Sequence, residues 1–206
     1  GLADVAGALP VVLSDLGHEC HTFLPAYRAV KQKWFGKAKK ISEVLIPLGA
    51  QGAMHEKGMI WQYRDRPRHT VYFVEHAGFF DRGGLYGTAD GDFPDNAKRF
   101  AFFSRAVIET LRQAAILKPD IIHVHDWQTS LIPVYLKQKY SNETKFNGTR
   151  TVLTIHNMAY QGAFEKEVLP ELDLPWELFQ MDKLEFWGKV NFLKGGLVFA
   201  DELTTV

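Results

Sequence analysis

Three short polar segments carry the residue types in this sequence that are suited to chemistry. They are Gly1-Leu2-Ala3-Asp4, His125-Asp126-Trp127-Gln128 and His156-Asn157. Carboxylates and amides bind hydroxyl pairs, an imidazole donates or accepts a hydrogen bond, and an indole face stacks on a sugar ring. A helix N-terminus that follows a glycine can hold an anionic oxygen with its backbone N–H groups. Together the segments favour a polyhydroxylated ligand.

Several of these residues also have a purely structural interpretation. Asp126 is equally a candidate cap for the helix that follows it, and Asp4 is equally a first-turn residue favoured by the helix dipole. His123 and His125 share a strand face at a spacing that suits zinc, but no Cys or acidic residue lies at ligand spacing. We therefore expect no metal and no cofactor. His123 is expected to be a hydrogen-bonded histidine, either in the core or behind a residue of the site.

The tryptophans have a similar ambiguity. Trp127, Trp176 and Trp187 are expected to pack in the interior rather than to present a ring to a ligand. Cys20, the only cysteine, is expected to be a small core residue and not a nucleophile. A single cysteine excludes an intrachain disulfide, which fits a reducing cytoplasm.

The order of helical and strand patterns indicates an α/β domain. Apolar residues at helical spacing, from Leu2 to Leu16, end at Gly17. Further expected elements are a buried strand at Cys20–Leu24, a helix from about Asn96 to Leu117, a fully buried strand at Ile121–His125, a helix capped by Thr129 that runs to about Tyr140, a strand at Arg150–Ile155, a helix around Lys189–Ala200 and a strand at Glu202–Val206.

Residues 41–75 interrupt this alternation. Three apolar runs separated by Gly and basic turns predict an antiparallel patch there, and residues 76–95 read as a long functional loop. The sequence therefore predicts one Rossmann-like, doubly wound parallel sheet with a small antiparallel insertion over residues 1–206. In such sheets ligands bind beyond the carboxyl ends of the strands, where the polar segments fall.

Composition excludes some functions. The 206 residues include 24 Lys and Arg against 24 Asp and Glu, so no net field recruits nucleic acid or an anionic membrane. Hydrophobic residues make up 46% and charged residues 23%, as in globular proteins. No apolar stretch reaches the ~20 residues of a membrane span, and no signal-peptide pattern opens the chain. A G-x-G-x-x-G or P-loop spacing is absent, which disfavours a dinucleotide or nucleoside triphosphate site.

Four collinear segments spanning the chain give a specific resemblance. The segments are Gly1-Leu2-Ala3-Asp4-Val5 (the end of K-x-G-G-L-[AG]-D-V), His125-Asp126-Trp127-Gln128-Thr129 (H-D-W-H-[TA]), Thr154-Ile155-His156-Asn157-Met158-Ala159-Tyr160-Gln161-Gly162 (T-[VI]-H-N-[LM]-A-Y-Q-G) and Leu184-Glu185-Phe186-Trp187-Gly188-Lys189-Val190-Asn191-Phe192-Leu193-Lys194 (L-E-F-[YWN]-G-x-[IV]-[NS]-F-L-K). They resemble the motifs, given in parentheses, of the bacterial and plastid glycogen and starch synthases.

The resemblance implies the N-terminal, acceptor-side half of a GT-B glycosyltransferase. Enzymes of this family transfer glucose from ADP-glucose to an α-1,4-glucan with retention and without a metal. The implied catalytic residues are His156, at the transferred glucose, and Asp126, beside the sugar. The implied substrate-binding residues are Gly1, Asp4, Tyr86, Asp95, Asn96, Asn157 and Gln161.

The sequence departs from the family pattern at a few places. The Lys and first Gly of K-x-G-G-L, the first strand and the C-terminal nucleotide-binding domain are missing, so the chain alone is expected to be inactive. Gln128 replaces the usual His, and Gly195-Gly196 stands where Ala-Gly is commoner, with little consequence expected. The expected location is the bacterial cytoplasm or a plastid. Another GT-B enzyme and a non-catalytic glucan-binding module remain the alternative functions.

Overall fold

A computed structural model describes residues 1–113 and 118–206. Its helices include the four predicted ones and four shorter ones that the sequence did not predict. The last predicted helix begins only at Phe192, because Lys189–Asn191 form a strand. The α-helices are α1 (Leu2–Asp15), α2 (Arg28–Trp34), α3 (Ala77–Phe80), α4 (Asn96–Gln113), α5 (Asp126–Thr129), α6 (Leu131–Gln138), α7 (Val168–Glu171) and α8 (Phe192–Phe199). No helix within the described ranges is long and apolar enough to cross a membrane. The expected end of the long helix, including Ala114, lies outside the described residues.

The strands are short apart from two. They are β1 (Cys20–Pro25), β2 (Lys39–Leu48), β3 (Met54–Arg66), β4 (His69–Glu75), β5 (Gly87–Thr88), β6 (Gly91–Asp92), β7 (Ile121–His125), β8 (Arg150–Ile155), β9 (Ala163–Phe164), β10 (Glu185–Phe186), β11 (Lys189–Asn191) and β12 (Glu202–Thr205).

The pairing of these strands confirms a parallel α/β fold with an antiparallel patch. One sheet has the order β12-β8-β7 with parallel pairing throughout. A mixed sheet has the order β1-β4-β3-β2, in which β4 is parallel to β1 and antiparallel to β3. Residues 41–75 thus form the predicted three strands. The segment 76–95 contains the short α3, β5 and β6, with Phe79 and Phe80 buried.

The described residues form two compact units. The first comprises Gly1–Leu45 and Lys57–Phe93, and the second comprises Ile46–Glu56 and Pro94–Val206. In the first unit aromatic rings pack on the mixed sheet, with Phe35 stacked on Trp61 at 4.4 Å and Phe23 on Tyr72 at 4.7 Å between ring centroids.

The apolar stripe of α1 and the strand β1 are less buried than the sequence predicts. Val12 is 53% and Leu16 71% exposed. Along β1 only Pro25 is buried, and Cys20 is half-buried. The expectation that Cys20 is a core residue on a buried strand is therefore wrong. An apolar run predicts a strand, but it does not report how many sides of that strand are covered.

The second unit is built around α4, which packs against α5, α6 and α7. The predicted stripe of Phe100, Phe103, Val107 and Leu111 is buried. The helix also buries residues on its other sides, among them Arg99, Arg105 and Glu109, so it is not simply amphipathic. A buried charged group is tolerated only when it is paired.

Hydrogen bonds within the second unit supply that pairing. Arg105 donates to Asp173 Oδ2 at 2.5 Å and to the Tyr140 hydroxyl at 3.1 Å. Lys139 Nζ donates to Asp173 Oδ1 at 2.8 Å, and the Tyr140 hydroxyl donates to Glu109 Oε1 at 2.6 Å. The network joins α4 to the segments that follow α6 and α7.

Helix α8 approaches the α5–α6 junction closely at one glycine. A Cβ at Gly196 would lie 2.6 Å from Ser130 Oγ and 2.9 Å from Leu153 Cδ2. A Cβ at Gly195 would meet only side-chain ends, Val134 Cγ2 at 3.1 Å and Leu184 Cγ at 3.2 Å. Close packing therefore requires a glycine at position 196 but not at position 195.

We predict opposite tolerances for alanine at these two positions. Gly196→Ala should lower the free energy of unfolding by about 1–3 kcal/mol, because the added methyl group overlaps Ser130. Gly195→Ala should change it by less than ~1 kcal/mol, because the gain in helix propensity offsets a slight displacement of side chains. Urea unfolding followed by circular dichroism measures both. Equal losses in the two variants would contradict this account of the packing.

Candidate functional site

The candidate site lies at the carboxyl edge of the parallel sheet. Strands β7 and β8 run in the same direction, with His125 opposite Thr154. Asp126 and His156 follow the two strand ends, so both enter loops at one edge of the sheet. This is the edge at which α/β proteins bind ligands, and the placement agrees with the prediction from sequence.

Asp126 joins the two loops. Its backbone has a φ of 53°, in the left-handed region, and the residue is buried. Its Oδ1 accepts hydrogen bonds from the backbone N–H of His156 at 2.7 Å and of Asn157 at 3.4 Å. The carboxylate therefore does not cap a helix, and that alternative is wrong. Instead it fixes the first two peptides after β8.

The imidazoles of His125 and His156 form a pair. His125 Nδ1 and His156 Nε2 are 3.1 Å apart, with ring centroids at 5.3 Å. His156 Nδ1 is shielded from solvent and has no hydrogen-bond partner within the described part of the chain. An unmet polar atom is costly in a protein interior. The pair thus fixes one nitrogen of His156 and leaves the other without a protein partner.

The backbone of His125 is also held. Its N–H donates to Thr129 Oγ1 at 2.7 Å, and that hydroxyl donates to the His125 carbonyl at 2.8 Å. Thr129 therefore closes the short helix α5 onto the end of β7. It does not cap the next helix, as the sequence suggested, because its hydroxyl reaches back along the chain.

Burial keeps His125 uncharged at neutral pH. Desolvation, with smaller contributions from the charges of His123 and His156, lowers the pKa of His125 to about 4. Desolvation and the charge of His156 also lower the pKa of His123. One ring of the His125–His156 pair donates a hydrogen bond to the other. A neutral His125 can be either the donor or the acceptor, depending on its tautomer.

His123 has a hydrogen-bond partner on the neighbouring strand. Its Nε2 lies 2.6 Å from Thr154 Oγ1, which in turn lies 2.5 Å from Thr204 Oγ1. His123 is thus satisfied, as expected. Its strand is not fully buried, however, because burial alternates, with Ile122 and Val124 covered and Ile121 62% exposed. Among the described residues no group of three or more His, Cys, Asp and Glu side chains is placed to hold a metal ion.

The loop after His156 is shaped by local hydrogen bonds. Asn157 Oδ1 accepts from the N–H of Ala159 at 2.9 Å, and Gln161 Oε1 accepts from Asn191 Nδ2 at 2.7 Å. Gly162 has a φ of 61°, and a Cβ there would lie 2.4 Å from Trp127 Cε3. Only glycine fits that position without displacing the indole.

The three tryptophans differ in environment. Trp127 is buried and meets Phe100 edge to face at 4.9 Å, which confirms a packing role. Trp176 is 50% and Trp187 87% exposed, so the expectation that they pack in the interior is wrong for both. Gln128 Oε1 is buried and lacks a hydrogen-bond partner in the regions that the structure describes.

The other predicted substrate-binding residues lie elsewhere in the chain. In the first unit, Gly1 precedes α1, Asp4 is an exposed first-turn residue whose N–H donates to the Gly1 carbonyl at 3.1 Å, and the Tyr86 carbonyl accepts from Phe93 N–H. In the second unit, Asp95 precedes α4 and Asn96 is its first residue. The Asp95 carbonyl accepts from Arg99 N–H at 2.9 Å, and Asn96 Oδ1 accepts from the Arg99 guanidinium at 2.6 Å.

The site contains contacts that the sequence did not predict. His125 pairs with His156, Thr129 holds His125, and Asn191 binds Gln161. A signal for His125 was present, because it ends a strand parallel and adjacent to the strand that His156 follows. No local pattern pointed to Asn191, which is 30 residues from Gln161.

Comparison with known proteins identifies the family. A family model described as the starch synthase catalytic domain matches residues 1–206, and the chain belongs to that family. The catalytic domain of starch synthase IV from Arabidopsis thaliana, solved bound to ADP and acarbose, superimposes with a TM-score of 0.84 at 30% identity. That match covers 100% of this chain and 41% of the plant chain, and it identifies the α/β fold as that of the GT-B starch synthases.

Bacterial relatives are more similar in sequence. The glycogen synthase of Koribacter versatilis is 47% identical over 209 residues, covering 100% of this chain and 41% of the relative. Glycogen synthase 2 of Geobacter sulfurreducens is 44% identical over 210 residues, covering 100% of this chain and 42% of the relative. The chain therefore spans about two fifths of the length of these relatives.

We predict that Asp126 tolerates asparagine better than alanine. Alanine strains the left-handed backbone and leaves the N–H groups of His156 and Asn157 without their acceptor, which should cost about 2–4 kcal/mol of unfolding free energy. Asparagine adopts the left-handed region readily and keeps an acceptor oxygen, so Asp126→Asn should lose less than half as much. Urea unfolding tests this. Equal losses would mean that the carboxylate does not hold the loop.

A second prediction concerns pH. The folded-state pKa of His125, about 4, lies below the ordinary 6.5, so the unfolded chain binds this proton first. Stability should therefore fall as pH decreases from about 6.5 to 4, by on the order of 2 kcal/mol. His125→Gln should reduce the slope over that window, while His123 and His21 titrate in both proteins. If the free energy of unfolding depended on pH in the same way in both proteins, a buried neutral His125 would be excluded.

Proposed function

We propose that the complete protein elongates an α-1,4-glucan by transferring glucose from ADP-glucose with retention of configuration, and that this chain is its acceptor-side half. The observation that carries the proposal is the His156 loop, clamped by Asp126 at the carboxyl edge of the sheet, in a chain that matches the starch synthase family over its whole length. The starch synthase IV structure with ADP and acarbose supports both substrate classes.

The roles of the two central residues follow from their contacts. Asp126 acts as a positioning residue, because its carboxylate holds the backbone N–H of His156. The same carboxylate oxygen also accepts from the Asn157 N–H, which is in the peptide that carries the His156 carbonyl. That bond sets the direction of the His156 carbonyl, which we propose faces the transferred glucose. The imidazole of His156, oriented by His125, binds a sugar hydroxyl after a small displacement that exposes Nδ1.

The proposed transfer needs little acid–base chemistry from these residues. The bond from the glucose C1 to the donor phosphate breaks, and C1 bonds to the acceptor hydroxyl oxygen on the same face. The hydroxyl proton passes to the leaving phosphate. The protein supplies position and a preorganised electrostatic field. Gly1, before the start of α1, is proposed to lie beside the donor phosphates, whose charge suits a helix N-terminus, and Asp4 is proposed to support that loop.

The remaining predicted residues have less direct roles in this proposal. Tyr86, Asp95 and Asn96 are proposed to bind substrate, as the family resemblance implies, while Asn157 and Gln161 shape the loop that carries His156. The half-buried lone thiol of Cys20 is compatible with a reducing compartment, and we propose the bacterial cytoplasm as the location.

The central test is the His156→Ala variant of the complete protein. We expect wild-type protein to extend glycogen from ADP-glucose, and the variant to lose about 10²-fold in kcat with a smaller change in KM, because the lost contact matters most at the transition state. His55→Ala, which alters an exposed histidine, is the matched control and should retain full activity.

Three outcomes would count against the proposal. Transfer from a donor other than ADP-glucose would correct the substrate. No transfer by the wild-type protein, with glucan binding intact, would favour a non-catalytic binding module. Normal turnover by the folded fraction of His156→Ala would return His156 to a structural role.

A further inference from the structure

The most exposed aromatic side chain of the second unit stands at the tip of a hairpin. Trp187 is 87% exposed and lies in the two-residue turn between β10 and β11. The ring of Phe186, 42% exposed, is beside it at 6.2 Å between centroids and an interplanar angle of 78°. Large exposed aromatic groups at a defined position commonly mark a binding surface.

The backbone of this turn makes the tryptophan unexpected. Trp187 has a φ of 52° and Gly188 a φ of 75°. Two-residue hairpins with positive φ at both positions favour Asn-Gly, because asparagine adopts this conformation at little cost and a bulky residue does not. A tryptophan at such a position therefore carries a conformational penalty that hairpin formation does not require. Strain of this kind clusters at functional sites.

The hairpin is held firmly despite its exposure. Gly188 N–H donates to Glu185 Oε1 at 2.8 Å across the turn. The ammonium group of Lys194, on α8, donates to the carbonyls of Glu185 and Met181 and lies 5.6 Å from the centre of the Phe186 ring. The indole is thus presented from a fixed frame, which lowers the entropy cost of binding.

The same frame is continuous with the His156 loop. Strand β11 pairs with β9, which follows that loop along the chain. Asn191, at the end of β11, accepts from Lys194 N–H at 2.9 Å and donates to Gln161 at 2.7 Å. The hairpin and the loop therefore share their supports within the second unit.

We propose that Trp187 is a stacking platform for the glucan chain, outside the reacting sugar. An indole face matches the apolar face of a pyranose ring, and the exposed side chain of Lys189, paired with Glu165 at 3.1 Å, supplies nearby polar groups for hydroxyls. A single tryptophan buries at most about 250 Å², well below the roughly 800 Å² per partner of a stable protein interface. The area favours one sugar ring over a second copy of the chain.

This inference rests on the proposed function for the identity of the glucan, and the complete protein tests it. The variant is Trp187→Asn, which keeps a favourable turn and should have an equal or higher melting temperature. Trp187→Tyr keeps a stacking ring, and Trp176→Ala removes another half-exposed tryptophan as the matched control. The probes are maltoheptaose, with binding measured by calorimetry, and glycogen with ADP-glucose, with transfer measured.

We expect Trp187→Asn to weaken maltoheptaose binding and raise the half-saturating glycogen concentration about two- to tenfold, the equivalent of about 0.5–1.5 kcal/mol of aromatic contact. The KM for ADP-glucose should not change. Trp187→Tyr should recover most of the binding, and Trp176→Ala should behave as wild type.

Unchanged maltoheptaose affinity in Trp187→Asn would overturn the platform. A shift from dimer to monomer in sedimentation velocity, with unchanged glucan binding, would also overturn it, because Trp187 would then join two copies of the chain. Absence of transfer by the wild-type protein would instead contradict the proposed function. The calorimetric comparison of maltoheptaose binding by wild type and Trp187→Asn would still test whether Trp187 binds the glucan.

Discussion

The geometry of the candidate site depends on one buried carboxylate. Parallel strands bring the ends of β7 and β8 to one edge, but they leave the loops beyond them free to diverge. Asp126 prevents this by accepting the N–H groups of His156 and Asn157. It reaches them because its own backbone is in the left-handed region, which turns the chain sharply at the end of β7. The strained backbone of Asp126 thus fixes the distance between the loop after β7 and the loop after β8.

The surroundings of that clamp favour uncharged, oriented groups over a strong base. Burial holds the pKa of His125 at about 4, so its imidazole remains neutral and fixes His156 through a hydrogen bond. Groups oriented before the substrate arrives need no reorganisation in the transition state. This suits a transfer in which the donor's own phosphate accepts the proton.

Sequence patterns predicted the longer elements and the edge where the site lies, but not the shortest helices and strands or the contacts between distant segments. Strand β8 ends at Ile155 as expected, and His156 begins the loop. The prediction that β7 is fully buried was wrong. A five-residue apolar run with two histidines has the same sequence pattern whether one face of the strand or both faces are covered. Thr129 was assigned forwards as a cap, whereas its hydroxyl bonds backwards to His125. The prediction that Trp187 packs in the interior was wrong because it relied on the usual burial of tryptophan. A Trp-Gly pair is also not a sequence pattern that predicts a two-residue hairpin turn.

Helix α8 links the parts of the site that these local rules do not connect. Its first turn is capped by Asn191, which also binds Gln161 in the His156 loop. One turn later Gly196 lies against Ser130, whose hydroxyl donates to the Asp126 carbonyl at 2.8 Å. The closeness of α8 at Gly196 therefore sets the position of Ser130, and Ser130 in turn supports the backbone from which the Asp126 carboxylate projects. A glycine with no polar atom beyond its backbone thus contributes to the placement of His156, and this is why Gly195 and Gly196 are not interchangeable despite their identical side chains.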